Sequence, residues 1–142
     1  MASLETRRLG RTEMKPTALG LGGGHLGYPG QSDENAVNTI RGAIESGINF
    51  VDTSPFYGVS ERRFGLALVG GWRDQVYLQT KVGSHPRYLR DFSKKATTWS
   101  LENSFKKLQT DYVDSVLIHG PRYDIEAPLD TCLEVLVDWK SK

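Results

Sequence analysis

Asp52, Tyr57, Lys81 and His119 are a carboxylate, a phenol, an amine and an imidazole, and each stands at or just past the end of an apolar, strand-like run. The runs are Ile48 to Asp52, Val76 to Lys81 and Val113 to His119, with Tyr57 five residues beyond Asp52 in the loop Thr-Ser-Pro-Phe-Tyr. If parallel strands deliver these groups to one rim, the chemistry is proton relay. A carbonyl that accepts hydride needs a proton on its oxygen, and a phenol can give it. Free tyrosine, with a pKa of about 10, holds that proton too firmly for reversible exchange near neutral pH. A neighbouring ammonium favours the phenolate, a carboxylate fixes the ammonium, and an imidazole orients the carbonyl or shares the proton. Each residue alone has a plainer reading. Asp52 can cap a turn with Thr53, Tyr57 can be a rim aromatic, Lys81 a solvated strand end, and His119 a packed imidazole bonded to backbone. Their order along the chain is what makes them a joint candidate.

The elements that must position them follow from apolar spacing and from punctuation by glycine, proline and serine. Arg7 to Lys15 is polar and turns at Gly10, which suggests a short ribbon leading in. Thr17 to Leu21 reads as a first strand feeding Gly22-Gly23-Gly24. Ser32 or Asp33 caps a helix with Val37, Ile40 and Ile44 on one side, ended by Gly47. Ile48 to Asp52 is the second strand. Ser60 is placed to cap a short helix carrying Phe64, Leu66 and Leu68, closed by Gly70-Gly71. Val76 to Lys81 is the third strand, with Pro86 in the loop behind it. Ser93 caps the longest helix, with Trp99, Leu101, Phe105 and Leu108 as its apolar side. Val113 to His119 is the fourth strand, closed by Gly120-Pro121. After Pro128, Leu129, Leu133, Leu136 and Val137 mark a fourth helix running to the last residue.

Four strand–helix repeats are the pattern of parallel βαβ units. They fit an open doubly wound sheet or half of an eight-fold barrel. An open sheet would carry a nucleotide fingerprint at its first turn. Gly20-Leu-Gly22-Gly23-Gly24 is not Gly-x-Gly-x-x-Gly opening a helix, since Tyr28, Pro29 and Gly30 intervene, and it is not a Gly-x-x-x-x-Gly-Lys phosphate loop. A flavodoxin-like module is disfavoured on the same ground. Functional groups at the C-terminal ends of successive strands point to a barrel rim.

Composition narrows the partners. The chain has 142 residues, 38% hydrophobic, and 18 basic residues against 17 acidic ones give a net charge of +1. That size suits one domain, residues 1–142, and the balance argues against nucleic acid or an anionic membrane. The doublets Arg7-Arg8, Arg62-Arg63, Lys94-Lys95 and Lys106-Lys107 read as solvated faces. One cysteine, Cys132 among Leu129, Leu133, Val135 and Leu136, reads as a buried structural thiol in a reducing compartment. The N-terminus has no apolar core of a signal peptide and no run approaches about 18 apolar residues, so the expectation is a soluble cytoplasmic protein. His25 and His85 read as surface histidines. Trp72 is expected to pack beneath the loop after the second helix, and Trp99 and Trp139 along helices. Phe56 and Tyr88 lie in rim loops within reach of a substrate. No metal site is expected.

Beside this reading stands a resemblance. Gly47-Ile-Asn-Phe-Val-Asp52-Thr-Ser-Pro-Phe-Tyr57-Gly-Val-Ser-Glu61-Arg-Arg-Phe-Gly65 resembles the signature segment of the aldo-keto reductases. Gln79-Thr80-Lys81-Val82-Gly83 and Val116-Leu117-Ile118-His119 are similar to the family's lysine and histidine strands. Arg8-Leu9-Gly10-Arg11-Thr12 and Thr110-Asp111-Tyr112-Val113-Asp114 extend the likeness over nearly the whole chain from Arg7. The resemblance implies a (β/α)8 TIM-barrel family of which this chain holds about the first four units. It implies Tyr57 as general acid/base, Lys81 and Asp52 as its tuning partners, and His119 as the carbonyl orienter. It implies NADPH or NADH as cofactor, with Gly22, Gly23, Gly24 and Asp52 bordering the nicotinamide, although Gly22-Gly23-Gly24 replaces the Gly-Thr often found after the first strand. The substrate class implied is an aldehyde, ketone or sugar, and Asp-Thr-Ser-Pro-Phe-Tyr-Gly resembles branches that oxidise aldoses.

A complete barrel takes roughly 250 residues. A 142-residue chain is therefore expected to be truncated before the strands that grip the rest of the cofactor, and to leave bare sheet edges that favour self-association. The alternative to an active oxidoreductase is a non-catalytic product that pairs with a full-length relative or binds nucleotide weakly.

Overall fold

The computed structural model describes residues 3–121 and 129–141. Pro128 and Lys142, which bear on the start and end expected for the fourth helix, lie outside them. Among the described residues four strands alternate with four α-helices: β1 (Leu21–Gly22), α1 (Asp33–Glu45), β2 (Phe50–Asp52), α2 (Ser60–Leu68), β3 (Tyr77–Val82), α3 (Lys94–Leu108), β4 (Ser115–Ile118) and α4 (Leu129–Lys140). The strands form one parallel sheet in the order β1-β2-β3-β4. An open doubly wound sheet reverses its strand order at a switch point. This one does not, and α1 packs on α2, α2 on α3 and α3 on α4 in succession. Sequential order in the sheet with a matching run of helices is the arrangement of a barrel wall.

Local chemistry explains most boundaries. The Ser32 hydroxyl accepts from the Asn35 amide and the Ser93 hydroxyl from the Ala96 amide, so both act as N-caps as the sequence suggests. Ser60 does not. It is the first residue of α2, and its hydroxyl instead meets the Thr53 hydroxyl at 2.9 Å beneath the loop. Three strands are shorter than their apolar runs, while β3 keeps six residues and lies one position later. Thr17 is diverted to the lead-in ribbon, where it bridges Thr6, and its amide donates to the Asn49 side chain at 2.6 Å. The Asp114 amide still donates to the Leu78 carbonyl at 3.0 Å, but its carboxylate takes the Leu78 amide at 2.8 Å and the Arg73 guanidinium at 2.7 Å, and β4 begins one residue later. The ribbon is tied by Asn49 and by the Tyr77 hydroxyl, which accepts from the Lys15 amide at 3.2 Å. Both anchors lie at the strand starts, opposite the functional rim.

Two cores result. The larger joins Ala36, Ile40 and Ile44 of α1 with Val51, Phe64, Ala67, Leu68 and Leu78, and Trp72 packs against it as expected. The smaller holds Val82, Phe92, Leu101, Cys132 and Val135, with Phe105 and Trp139 at its side, their rings 5.4 Å apart. In α4 the buried side is Cys132 and Val135, while Leu133 and Val137 are exposed. Of the face expected from spacing, Leu129 and Leu136 pack against this core, and Leu133 and Val137 do not. The helix has apolar residues on two sides, and only one of them reaches α3 and β4.

The doublets also divide. Arg62 is exposed, but Arg63 is buried. Its guanidinium donates to the Leu26 carbonyl at 2.6 Å, to the Tyr28 carbonyl at 3.0 Å, to the Gln31 carbonyl and to Asp33 at 3.0 Å. Arg62 and then Arg63 hold the Asp33 carboxyl down at about 2. The reading of Arg63 as part of a solvated face is therefore wrong. Its fork satisfies carbonyls of the loop after β1 that no strand or helix can satisfy.

Candidate active site

The parallel register places Gly22 beside Asp52 and Asp52 beside Gln79. Lys81 lies two residues beyond Gln79 on β3, so both side chains leave the same face. Asp52 is thereby surrounded by donors. Lys81 Nζ donates to its two oxygens at 2.5 and 2.6 Å, and Gln79 Nε2 donates at 2.8 Å. The Gln79 carbonyl oxygen in turn accepts from Ser115 at 2.9 Å, and Lys81 Nζ also donates to the Thr53 carbonyl at 2.9 Å. All three ammonium hydrogens are directed, and Lys81 is only 7% exposed. A buried ammonium needs such partners to remain charged.

Tyr57 comes back over this pair. The Tyr57 amide donates to the Ser54 carbonyl at 3.0 Å, which closes the turn Ser54-Pro-Phe-Tyr57. Gly27 then presses against the Tyr57 carbonyl so closely that a Cβ there would stand 1.6 Å from its oxygen. Only glycine permits that approach. The result holds Lys81 Nζ 4.7 Å from the centroid of the half-buried Tyr57 ring.

His119 follows β4, and its amide donates to the Val82 carbonyl at 2.8 Å. Its ring stands edge-on to Tyr57 with centroids 5.6 Å apart, and to Phe56 at 6.1 Å. His119 Nδ1 lies 3.0 Å from Ser54 Oγ. Burial, and then the Lys81 ammonium, push this imidazole below its ordinary value, with Asp52 opposing. That shift favours the neutral imidazole, which can both donate and accept a hydrogen bond. Asp52, Tyr57, Lys81 and His119 thus meet at one rim.

The three glycines after β1 are not equivalent. The Gly23 amide donates to the Asp52 carbonyl at 2.6 Å, and a Cβ on it would collide with Ser60, Asp52 and Phe64. Gly22 and Gly24 face open space. His25 is exposed, but His85 is buried, which corrects its reading as a surface residue. Its Nδ1 accepts from the Arg87 amide at 2.9 Å, and its ring stands 4.5 Å from that of Trp99. Tyr88 also turns to Trp99, at 5.2 Å, while Phe56 stays exposed on the rim. Cys132 is buried in the small core and burial raises its thiol, in keeping with a structural role.

Ser54, Gln79 and Glu61 are polar groups that sequence reasoning left without a part. Glu61 is buried behind β3, where it accepts from Thr80 at 2.7 Å. Burial raises its carboxyl against the pull of Ser104, Thr80, Lys107 and Lys81. Gln79 had a visible signal, since it shares the strand parity of Lys81. Ser54 had none, because its partner is 65 residues away. Among the described residues no group of three or more His, Cys, Asp or Glu is placed to hold a metal, and no helix is long and apolar enough to cross a membrane.

Known proteins resemble this chain in sequence and in fold. The profile of the Aldo/keto reductase family matches residues 18–141. L-galactose dehydrogenase of Arabidopsis thaliana is 38% identical over 125 residues, covering 84% of this chain and 39% of that protein. Aldo-keto reductase YhdN of Bacillus subtilis is 33% identical over 142 aligned residues, covering 94% of this chain and 42% of that protein. A solved aldo-keto reductase of Pseudomonas aeruginosa superimposes with a TM-score of 0.83 at 34% identity, over 96% of this chain and 56% of its own. The chain spans about two fifths of the length of the curated relatives it matches. On its sequence, its sequential strand order and its rim, the chain belongs to the aldo/keto reductase family.

Proposed function

We propose that this chain carries the proton-handling site of an NAD(P)-dependent oxidoreductase acting on an aldehyde, ketone or aldose. Bound nicotinamide, as NADPH or NADH, would supply or receive the hydride at the carbonyl carbon. Tyr57 gives a proton to the carbonyl oxygen in reduction and takes it back in oxidation. Lys81, fixed by Asp52, offsets the negative charge that develops on the phenol as the proton leaves. His119, neutral and edge-on to Tyr57, orients the carbonyl. Gly22 and Gly24 suit the nicotinamide end of the cofactor, because their open surface beside Asp52 admits a flat ring against backbone. Gly23 supports that surface from behind. An aldose is the favoured substrate class, by likeness to the L-galactose dehydrogenase.

The observation that carries the reading is the Lys81 nitrogen, chelated by Asp52 and standing over the Tyr57 ring. Tyr57→Phe removes the transferable proton and leaves the ring. Turnover with NADPH or NADH and an aldose or aldehyde is expected to fall by roughly 10² to 10⁴, with cofactor binding by fluorescence retained. Undiminished turnover in that variant overturns the assignment. The same proposal includes self-association through the edges of β1 and β4, where Leu117 is exposed. Sedimentation velocity is expected to show a concentration-dependent dimer, and a strict monomer at all concentrations would exclude it.

A further inference from the structure

We infer that Ser54 is a positioning residue that sets the tautomer of His119, so that Nδ1 accepts and Nε2 carries the proton offered to the substrate. The inference rests on the function proposed above. It starts from the hydrogen-bond accounting of one buried hydroxyl. Ser54 is 0% exposed. Its Oγ accepts from the Phe56 amide at 3.1 Å and lies 3.0 Å from His119 Nδ1. A serine hydroxyl has one proton to give. The Phe56 amide can only donate, so among the described residues His119 Nδ1 is the acceptor within reach. If Nδ1 carried the proton instead, Ser54 would receive two donors, and its own O–H would be buried with no acceptor. Doubly protonated imidazole would create the same clash. It would also place a cation beside the Lys81 ammonium, which already depresses His119.

Ser54 therefore donates to Nδ1, and a neutral ring with an acceptor at Nδ1 must hold its proton on Nε2. The same residue anchors the phenol. Its carbonyl accepts the Tyr57 amide at 3.0 Å, and its hydroxyl takes the amide of Phe56, whose ring meets His119. One side chain thus couples the loop bearing the acid to the strand end bearing the imidazole. An alanine at this position would keep the turn and lose the coupling.

The test is ring ¹⁵N spectroscopy of the histidine-labelled chain at neutral pH. His119→Gln assigns its signals against those of His25 and His85. The wild-type ring is expected to show an acceptor-type Nδ1 and a protonated Nε2. In Ser54→Ala the two tautomers are expected to mix, and kcat to fall roughly tenfold, the lower end of the loss seen when the partner of a metal-bound imidazole is removed, with KM nearly unchanged. A wild-type ring protonated on Nδ1 overturns the inference, as does a Ser54→Ala spectrum identical to wild type. The expected tautomer in a chain that never turns over upholds Ser54 and overturns the reductase reading instead.

Discussion

Asp52 and His119 end two parallel strands of one sheet, yet they are held in different ways. Asp52 lies on an inner strand and receives Lys81 twice and Gln79 once, with Ser115 supporting Gln79 from the next strand but one. His119 follows β4, whose ladder in the described residues runs on one side only, and its side chain is fixed by Ser54 and two aromatic edges. The contrast extends to the cores. The one under β1 to β3 is closed by α1 and α2, whereas α4 leaves Leu133 and Val137 in the open. The direct partners of the Asp52 charge, Lys81 and Gln79, both lie on β3, and β4 adds only the support of Ser115. Imidazole placement rests on the loop after β2, through Ser54, Phe56 and Tyr57, and on the end of β3, through the Val82 carbonyl.

The contrast can be broken first at Gly27. Gly27→Val drives a side chain into the Tyr57 carbonyl, and a loss of more than about 3 kcal/mol is expected from so severe an overlap. Chemical denaturation measures it, and a loss under about 1 kcal/mol would show that the loop yields.

A matched pair of leucines gives the next largest effect. Leu78→Ala, in the closed core, is expected to cost about 2–5 kcal/mol, whereas Leu133→Ser on the open face is expected to stay within about 0.5 kcal/mol. Equal losses in denaturant titrations would mean that the open face of α4 is covered in solution.

The smallest effect is a slope. Burial, then Lys107 and Arg87, hold His85 below the ordinary imidazole value of 6.5, as burial and Lys81 hold His119. Between 6.5 and those lowered values the unfolded chain binds more protons than the folded one. Stability is thus complete above that window and declines as pH falls through it. His85→Gln is expected to flatten the slope of Tm against pH just below the ordinary imidazole value. A slope unchanged in that variant would assign the whole dependence to His119 and to the carboxylates.

These particulars show what a linear reading captures. Four strand–helix units, two serine caps and the strand ends bearing Asp52, Lys81 and His119 were legible, because each depends on residues within a few positions. Ser60 looked like a third cap by type and place, but Thr53 competes for its hydroxyl from across the loop. Arg63 looked like half of a solvated doublet. Its partners are carbonyls at Leu26, Tyr28 and Gln31, and no residue type announces an unsatisfied carbonyl. His85 was hidden by its sequence neighbours Pro86 and Arg87, while Trp99 supplies its cover. The rule shared by these misses is physical. Periodicity reports which side of an element is apolar, and it is silent on which polar group completes another's hydrogen bonds.

The Arg63 clamp has a consequence for how a substrate would be admitted. A segment whose carbonyls are pinned by one buried guanidinium cannot swing without breaking several charge-assisted bonds at once. The loop from Leu26 to Gln31 is thus a fixed jamb beside Tyr57. Across from it, the loop between β3 and α3 that carries His85, Arg87 and Tyr88 is held by ring contacts with Trp99. With several charge-assisted bonds closing on one guanidinium, the Leu26 to Gln31 segment is the stiffer of the two.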